Sequence, residues 1–304
     1  MSKSLDEAAQ LVDALLNAAK TGAIIPIRLP GQIEAIQAAI SAAKAESSAA
    51  LAEAEKKAAA AAGGADIEAF QRDQALFFGH AIHELRTPMT SIRGYTDMMI
   101  GMGGLNDMQK QFMDTVRANA KRLEALMQDV ADMNKIRGGT MKMTAKMDMF
   151  KNVALVTEKA MQPTADQLGR KLVFDIPQGL PLLNLDSDLL ARALNKLVEN
   201  ALRYHEKEGG EVTVKATTDG NTLVVTVTDN GIGITPEDME KLGTVYFRSE
   251  NELVRSYKGS GLGVPVAMGL AKLLGGTVTI SSEAGKGTTA TMRIPGMDPG
   301  AAAG

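Results

Sequence analysis

The chain has 304 residues, enough for two domains with cores of their own. It has no cysteine and no tryptophan, which excludes a disulfide framework, a thiolate metal site and a cysteine nucleophile, and its three histidines are too few for a histidine-rich metal centre. A formal net charge of −3 gives no reason to expect nucleic acid or an anionic membrane as a partner.

The opening MSKSLDEAAQ is acidic and polar where a signal peptide is basic and then apolar. No apolar run approaches the ~18 residues of a spanning helix, so a cytosolic chain without a membrane span is expected. Residues 1–64 are helical in pattern and rich in alanine. Leu5, Ala8, Leu11, Val12, Leu15, Leu16 and Ala19 recur at helical spacing, Pro26 and Pro30 interrupt, and Ile33, Ile36 and Ile40 resume it. Alanine favours helix but buries little surface, which predicts a helical spacer or stalk rather than a ligand-binding sensor.

Gly63-Gly64 breaks that pattern, and Asp66 is placed to cap the next helix. A helix over 67–100 carries an apolar seam of Phe70, Phe77, Ala81, Leu85, Ile92 and Met99. After a glycine-rich turn, a helix over 107–135 carries Phe112, Val116, Leu123, Leu126 and Val130, with Asn119 in or beside its seam. Residues 65–138 thus read as a helical hairpin. One hairpin buries too little alone, so a homodimeric four-helix bundle is expected. Residues 139–150 read as a linker, its methionines serving adaptable packing. From 151 to 296 the pattern is mixed: helices over 152–168, 186–205 and 264–275, and strands over 171–176, 211–217, 222–228, 276–281 and 287–293. The tail 297–304 reads as disordered. The fold class is α+β multidomain, a helical hairpin followed by an α/β sandwich.

Four clusters carry chemistry. His83 lies two residues from both Ala81 and Leu85, about 160° around the helix from each seam residue, so it faces solvent. An exposed, unprotonated imidazole is a competent nucleophile toward a phosphoryl group, and Glu84 beside it can hold the other ring nitrogen. His80, one turn earlier and nearer the seam, reads as packing. Thr87 shares the His83 face, and Pro88 should loosen the helix just beyond. In the helix over 186–205, Asn200 flanks the stripe Leu190, Leu194, Leu197, Ala201, and its amide oxygen suits Mg²⁺. Asp229 ends a strand and opens Asp-Asn-Gly-Ile-Gly. A carboxylate there accepts from an exocyclic amino group, which selects adenine over guanine, while Gly231 and Gly233 let the backbone approach the base. Gly259, Gly261 and Gly263 open a helix N-terminus, a phosphate cradle that is neither a P-loop nor a Rossmann turn. Residues 249–258 read as a lid, with Arg255 and Lys258 either on phosphates or in solvent.

In this order, His80-Ala-Ile-His-Glu-Leu-Arg-Thr-Pro88, Asn200-Ala-Leu-Arg-Tyr204, Asp229-Asn-Gly-Ile-Gly-Ile234 and Gly259-Ser-Gly-Leu-Gly263 resemble the boxes of sensor histidine kinases. The resemblance covers residues 66–295. It implies a HisKA-type dimerisation and phosphotransfer domain, then a Bergerat-fold domain that binds ATP with Mg²⁺. It implies that His83 takes the γ-phosphoryl group, assisted by Glu84, and passes it to an aspartate of a response regulator receiver domain. It implies that Thr87 positions the water that dephosphorylates the regulator. Asn200 would hold Mg²⁺. Arg203, Tyr204, Asp229, Gly231, Gly233, Arg248, Lys258, Gly259, Gly261, Leu262 and Gly263 would line the ATP site. A net phosphatase or a nucleotide-gated scaffold is the alternative. The chain departs from the family twice. Gly243 stands where the family has Phe, before Tyr246, Phe247 and Arg248. Lys196 stands where it has a first Asn, and is expected to touch a phosphate or to reach solvent.

Overall fold

A computed structural model describes residue 82 and residues 85–205, 209–257 and 259–297. The region 1–64, the seam positions Phe70, Phe77 and Ala81, Asp66, His80, His83, Glu84, Lys258 and the last seven residues lie outside the described residues. The chain divides into two compact units, Met1–Gly139 and Thr140–Gly304.

The first unit contains a helical hairpin. Its first helix, α1, runs over 85–102 and continues through Pro88, so the expected loosening there does not appear. The second, α2, spans Asp107–Arg137. Asn106 starts it with a capping box. Its side chain accepts from the Gln109 N–H at 2.9 Å, and the Gln109 side chain accepts from the Asn106 N–H at 2.9 Å. Asp107 in the first turn and Lys135 and Arg137 in the last complement the helix dipole.

The hairpin packs in part on the expected seam. Its core is Ile82, Met89, Ala120, Met127 and Ala131, with Leu85, Ile92, Leu123 and Val130 packed against it. Ile82, Met89 and the buried Thr96 are spaced by sevens, as are Met113, Ala120 and Met127. The expected positions Leu85, Ile92 and Met99 form a second stripe, also spaced by sevens. Leu85 and Ile92 are half-buried and Met99 is 40% exposed. Each helix thus carries an apolar face wider than one seam, and a single hairpin covers only part of it. Asn119 is half-buried, and its amide donates to the Thr115 carbonyl at 3.1 Å within its own helix. Arg93 pairs with Glu124 at 2.7 Å across the hairpin and sets the register of its two helices.

The second unit starts with β1, Lys146–Met149, inside the stretch expected to be linker. It pairs antiparallel with β3, Leu182–Leu185, with Lys146 opposite Leu185 and Met149 opposite Leu182. Between them lie helix α3, Phe150–Gln167, and strand β2, Lys171–Asp175. Asp148 joins the pair to the next helix. It accepts from the Ser187 hydroxyl at 2.7 Å and the Asn152 amide at 2.7 Å, and these bonds hold its carboxyl below the usual carboxylate range.

Helix α4 spans Ser187–Arg203, capped by Asp186, which accepts from the Leu189 N–H at 3.1 Å. It is followed by β4, Glu211–Asp219, and β5, Thr222–Asp229. Short helices α5, Pro236–Lys241, and α6, Glu252–Ser256, precede α7, Gly263–Leu273. Strands β6, Thr277–Glu283, and β7, Gly287–Pro295, complete the sheet. Its order is β2-β4-β5-β7-β6; β2 and β4 are parallel and the remaining pairs antiparallel.

Period-two alternation decides what the sheet buries. Val212, Val214 and Ala216 of β4, Leu223, Val225 and Val227 of β5, and Ala290, Met292 and Ile294 of β7 are all buried. Thr213, Thr217, Thr226, Thr289 and Thr291 alternate with them on the opposite face. The buried face meets α4, whose Leu190, Leu194, Val198 and Leu202 are fully enclosed, and α7, whose Val266 and Leu270 are too. α4 therefore lies in the core with its apolar stripe inward. The other edge of its last turns is left for chemistry.

Candidate active site

The C-terminal half of α4 is the axis of the site. Asn200 is half-buried at the edge of the apolar stripe. A Cβ at Gly263 would lie 3.3 Å from its Nδ2 and 3.4 Å from its Oδ1, so the Asn200 amide rests against the first residue of α7. The Asn box and the glycine box, distant in sequence, thus meet at a helix N-terminus, where N–H groups and dipole favour an anion.

The end of α4 is joined to the turn after β5. The Tyr204 carbonyl accepts from the Ile232 N–H at 3.0 Å. A Cβ at Gly231 would fall 2.2 Å from that carbonyl oxygen, so only glycine fits. Gly233 has φ +65°, and a Cβ there would fall 2.0 Å from the Glu283 carbonyl oxygen. Both glycines, expected to admit the base, are thus required by close approach of the protein's own backbone. Asn230 ties the turn to β4. Its side-chain oxygen accepts from the Glu211 N–H at 2.7 Å, and its own N–H donates to the Glu211 carbonyl at 3.3 Å.

Asp229 is fixed by one oxygen. Its Oδ1 accepts from the Gly231 N–H at 2.9 Å and the Thr288 N–H at 3.2 Å. Among the described residues no bond falls on Oδ2, which remains an acceptor for a ligand. Burial pushes this carboxyl above the usual carboxylate range. The Gly231 N–H, the charge of nearby His205 and the Thr288 N–H work in the opposite direction.

The segment that leads from α5 to the glycine box carries a left-handed residue. Tyr246 has φ 67° and donates its N–H to the Gly261 carbonyl at 3.2 Å. Gly261, with φ +71°, leaves no room for a Cβ, which would lie 2.6 Å from the Phe247 carbonyl oxygen. Arg248 donates to the carbonyls of Val254 and Tyr257, each at 2.5 Å, and so holds the end of α6. The described part of 249–258 thus contains a short helix held by Arg248. Tyr257 sets its ring edge-on to Tyr204, with centroids 5.9 Å apart. Gly259 lies 3.9 Å from Arg248 and from the Tyr204 hydroxyl as measured from a built Cβ. The departure at Gly243 has a physical account. Its φ is +89°, and the Met268 sulfur sits 3.1 Å from where a Cβ would be, so α7 fills the space that a side chain there would take.

Lys196 and Arg203 converge on Glu199, which the sequence reading passed over. The Lys196 Nζ is 3.9 Å from one Glu199 oxygen, and Arg203 donates to the other. The signal was an acid three residues after a lysine and four before an arginine on one helix. Lys196 is only 18% exposed, so it does not extend into bulk solvent. His205 was missed as well. It is buried, and its ring bonds the Ala201 carbonyl at 2.7 Å. On the hairpin, Thr87 is exposed, and its carbonyl accepts from the Ser91 hydroxyl at 3.3 Å. Arg255 is exposed and pairs with Glu250 at 3.4 Å. The structure thus brings together Asn200, Tyr204, Asp229, Gly231, Gly259, Gly261, Leu262 and Gly263. Among the described residues no cluster of acids and histidines forms a metal site, and no helix is long and apolar enough to cross a membrane.

Comparisons with known proteins agree with this arrangement. Residues 73–139 match the His Kinase A (phospho-acceptor) domain family. Residues 185–297 match the family of histidine kinase-, DNA gyrase B- and HSP90-like ATPases. A sensor-like histidine kinase of Rhizobium meliloti is 32% identical over 82% of this chain and 48% of its own length. Histidine protein kinase DivJ of Caulobacter vibrioides is 32% identical over 76% of this chain and 38% of its own. The chain thus spans less than half the length of these relatives. Among solved structures, ShkA in complex with AMPPNP aligns with a TM-score of 0.59 at 22% identity, over 72% of this chain and 45% of its own. Histidine kinase AdeS of Acinetobacter baumannii aligns with a TM-score of 0.51 at 21% identity, over 71% and 98%. These likenesses show the fold. With a phospho-acceptor segment followed by an ATPase segment of this type, the chain belongs to the sensor histidine kinases of two-component systems.

Proposed function

We propose that this chain uses ATP to phosphorylate His83 and then passes the phosphoryl group to an aspartate of a response regulator receiver domain. The imidazole attacks the γ-phosphorus, ADP leaves with the electron pair of the broken P–O bond, and the aspartate oxygen later displaces the histidine nitrogen. Glu84 orients the ring, and Thr87, exposed on α1, positions the water that hydrolyses the phosphorylated regulator. The half-buried second stripe of the hairpin is the face that a second copy would cover in a homodimer.

ATP lies between the Asp229 turn and the α7 N-terminus. Asp229 Oδ2 accepts from the adenine amino group, and Tyr204 packs beside the base. Gly259, Gly261 and Gly263 present N–H groups to the phosphates, with Leu262 fixed among them by its bond to the Ser260 hydroxyl and with Lys196, Arg203 and Lys258 as the cations. Arg248 acts at one remove, by holding the lid. A bound Mg²⁺ would neutralise phosphate charge. The Asn200 amide, set against Gly263, is a ligand of the oxygen type that ion takes. The observation that carries this reading is the meeting of Asn200 with Gly263 on a helix whose next turn is bonded to the Asp229 turn.

Incubation with γ-labelled ATP tests it. The chain should acquire a label that acid removes and base does not, and should surrender it to a receiver domain. Tight ATP binding with no such label would leave a nucleotide-gated scaffold.

A further inference from the structure

His205 follows the Asn box directly, and the proposed function leaves it without a task. Its side chain is buried, 3% exposed, at the end of α4. Its Nε2 lies 2.7 Å from the Ala201 carbonyl oxygen. A carbonyl only accepts, so Nε2 carries the proton on that side and satisfies one of the carbonyls that a helix end leaves without a partner. The ring's other side rests on Gly210: a Cβ there would lie 2.4 Å from Nδ1 and 2.7 Å from Cε1. His205 thus wedges α4 against the start of β4.

Both neighbours of the wedge lead to Asp229. Tyr204, the preceding residue, accepts from Ile232 in the Asp229 turn. Glu211, the residue after Gly210, exchanges two bonds with Asn230 in the same turn. A closed circuit results: Ala201, His205, Gly210, Glu211, Asn230, Asp229, Gly231, and back through Tyr204 to α4. Among the described residues, the buried imidazole bridges it from within the core. We propose that His205 is a positioning residue for base recognition: by fixing the end of α4 and the start of β4 at one spacing, it holds the turn so that Asp229 Oδ2 faces the adenine amino group. The inference rests on the base-reading role given to Asp229 above.

The test uses the full chain and two nucleotides, ATP and inosine triphosphate. The second carries the same triphosphate but a carbonyl where adenine has its amino group. The readout is the ratio of their affinities. In His205→Leu, which keeps bulk and loses the N–H, that ratio should fall about tenfold or more, the worth of one hydrogen bond to a charged group. In His205→Gln, whose amide can still donate to Ala201, most of the ratio should remain. Gly210→Ala, which displaces the ring without touching it chemically, should reduce the ratio as His205→Leu does, and it serves where the leucine variant melts. Equal loss of both affinities, or none, in His205→Leu and Gly210→Ala would overturn the positioning role. An unchanged ratio in Asp229→Ala would overturn the base-reading role itself, so the two failures are distinguishable.

Discussion

At the scale of the residue, Asp229 shows how burial and hydrogen bonding divide one carboxylate between two tasks. Oδ1 belongs to the fold, through Gly231 and Thr288, and in the proposed function Oδ2 is the atom that reads the base. Burial raises its pKa from 3.8. The base-reading form is the ionised one, so ATP affinity should be full near neutrality and decline as pH falls through the raised value, above the range of an ordinary carboxylate. The sign for stability is the reverse. A carboxyl whose pKa is higher folded than unfolded gains a proton more readily in the fold, so protonating Asp229 does not itself unfold the chain. Affinity titrations between pH 7 and pH 5, with a melt at each pH, check this, and Asp229→Asn should remove the dependence. Lys196 gives a second prediction. Enclosed beside Glu199, it stands one turn before Asn200. Lys196→Ala should weaken ATP binding by about 1 kcal/mol, roughly fivefold, with the effect shrinking in salt. An unchanged affinity would make it a structural partner of Glu199 alone. Asn200 and Asp229 stood out in the sequence because the boxes they belong to constrain both residue type and spacing, and the structure sets Asn200 against Gly263 and Asp229 at the end of β5. His205 was not. Its bond to Ala201 is local, but its burial depends on Gly210 and on the β4 start, which no helical periodicity reveals.

At the scale of the element, long periodic segments were legible and short ones were not. α2 was expected over 107–135 and spans Asp107–Arg137. The central strands were placed to within two residues because a one-sided sheet imposes strict alternation. β1 and β3 escaped because each has four residues and they pair across a helix and a strand, a partnership that composition does not announce. α6 escaped because its fold depends on Arg248, which holds two carbonyls beyond any local pattern. Of the hairpin seam, Leu85, Ile92, Leu123 and Val130 were read and do pack, while the innermost Ile82, Met89, Ala120 and Met127 were passed over because the apolar face is two stripes wide. The capping box at Asn106 was readable but unread, an Asn followed three residues on by Gln. Asn106→Ala should cost about 1 kcal/mol and speed amide exchange in the first turn of α2. Exchange unchanged there would mean that the glycine-rich loop, not the cap, sets that helix start.

At the scale of the whole molecule, the two units divide the labour. The first contains the hairpin, and the second an ATPase-type sheet with its glycine box. Association should follow the hairpin's second stripe rather than the alanine-rich region 1–64. A chain beginning at Ala65 should sediment as a dimer, and a monomer would move the association energy into that region. The central claim is that nucleophile and nucleotide belong to different units. It is tested most directly by one paired measurement on His83→Gln: nucleotide affinity and phosphorylation from γ-labelled ATP in the same preparation. The account predicts ATP affinity equal to that of the parent chain and no acid-labile label. Label retained in His83→Gln, or lost only in His80→Gln, would contradict it.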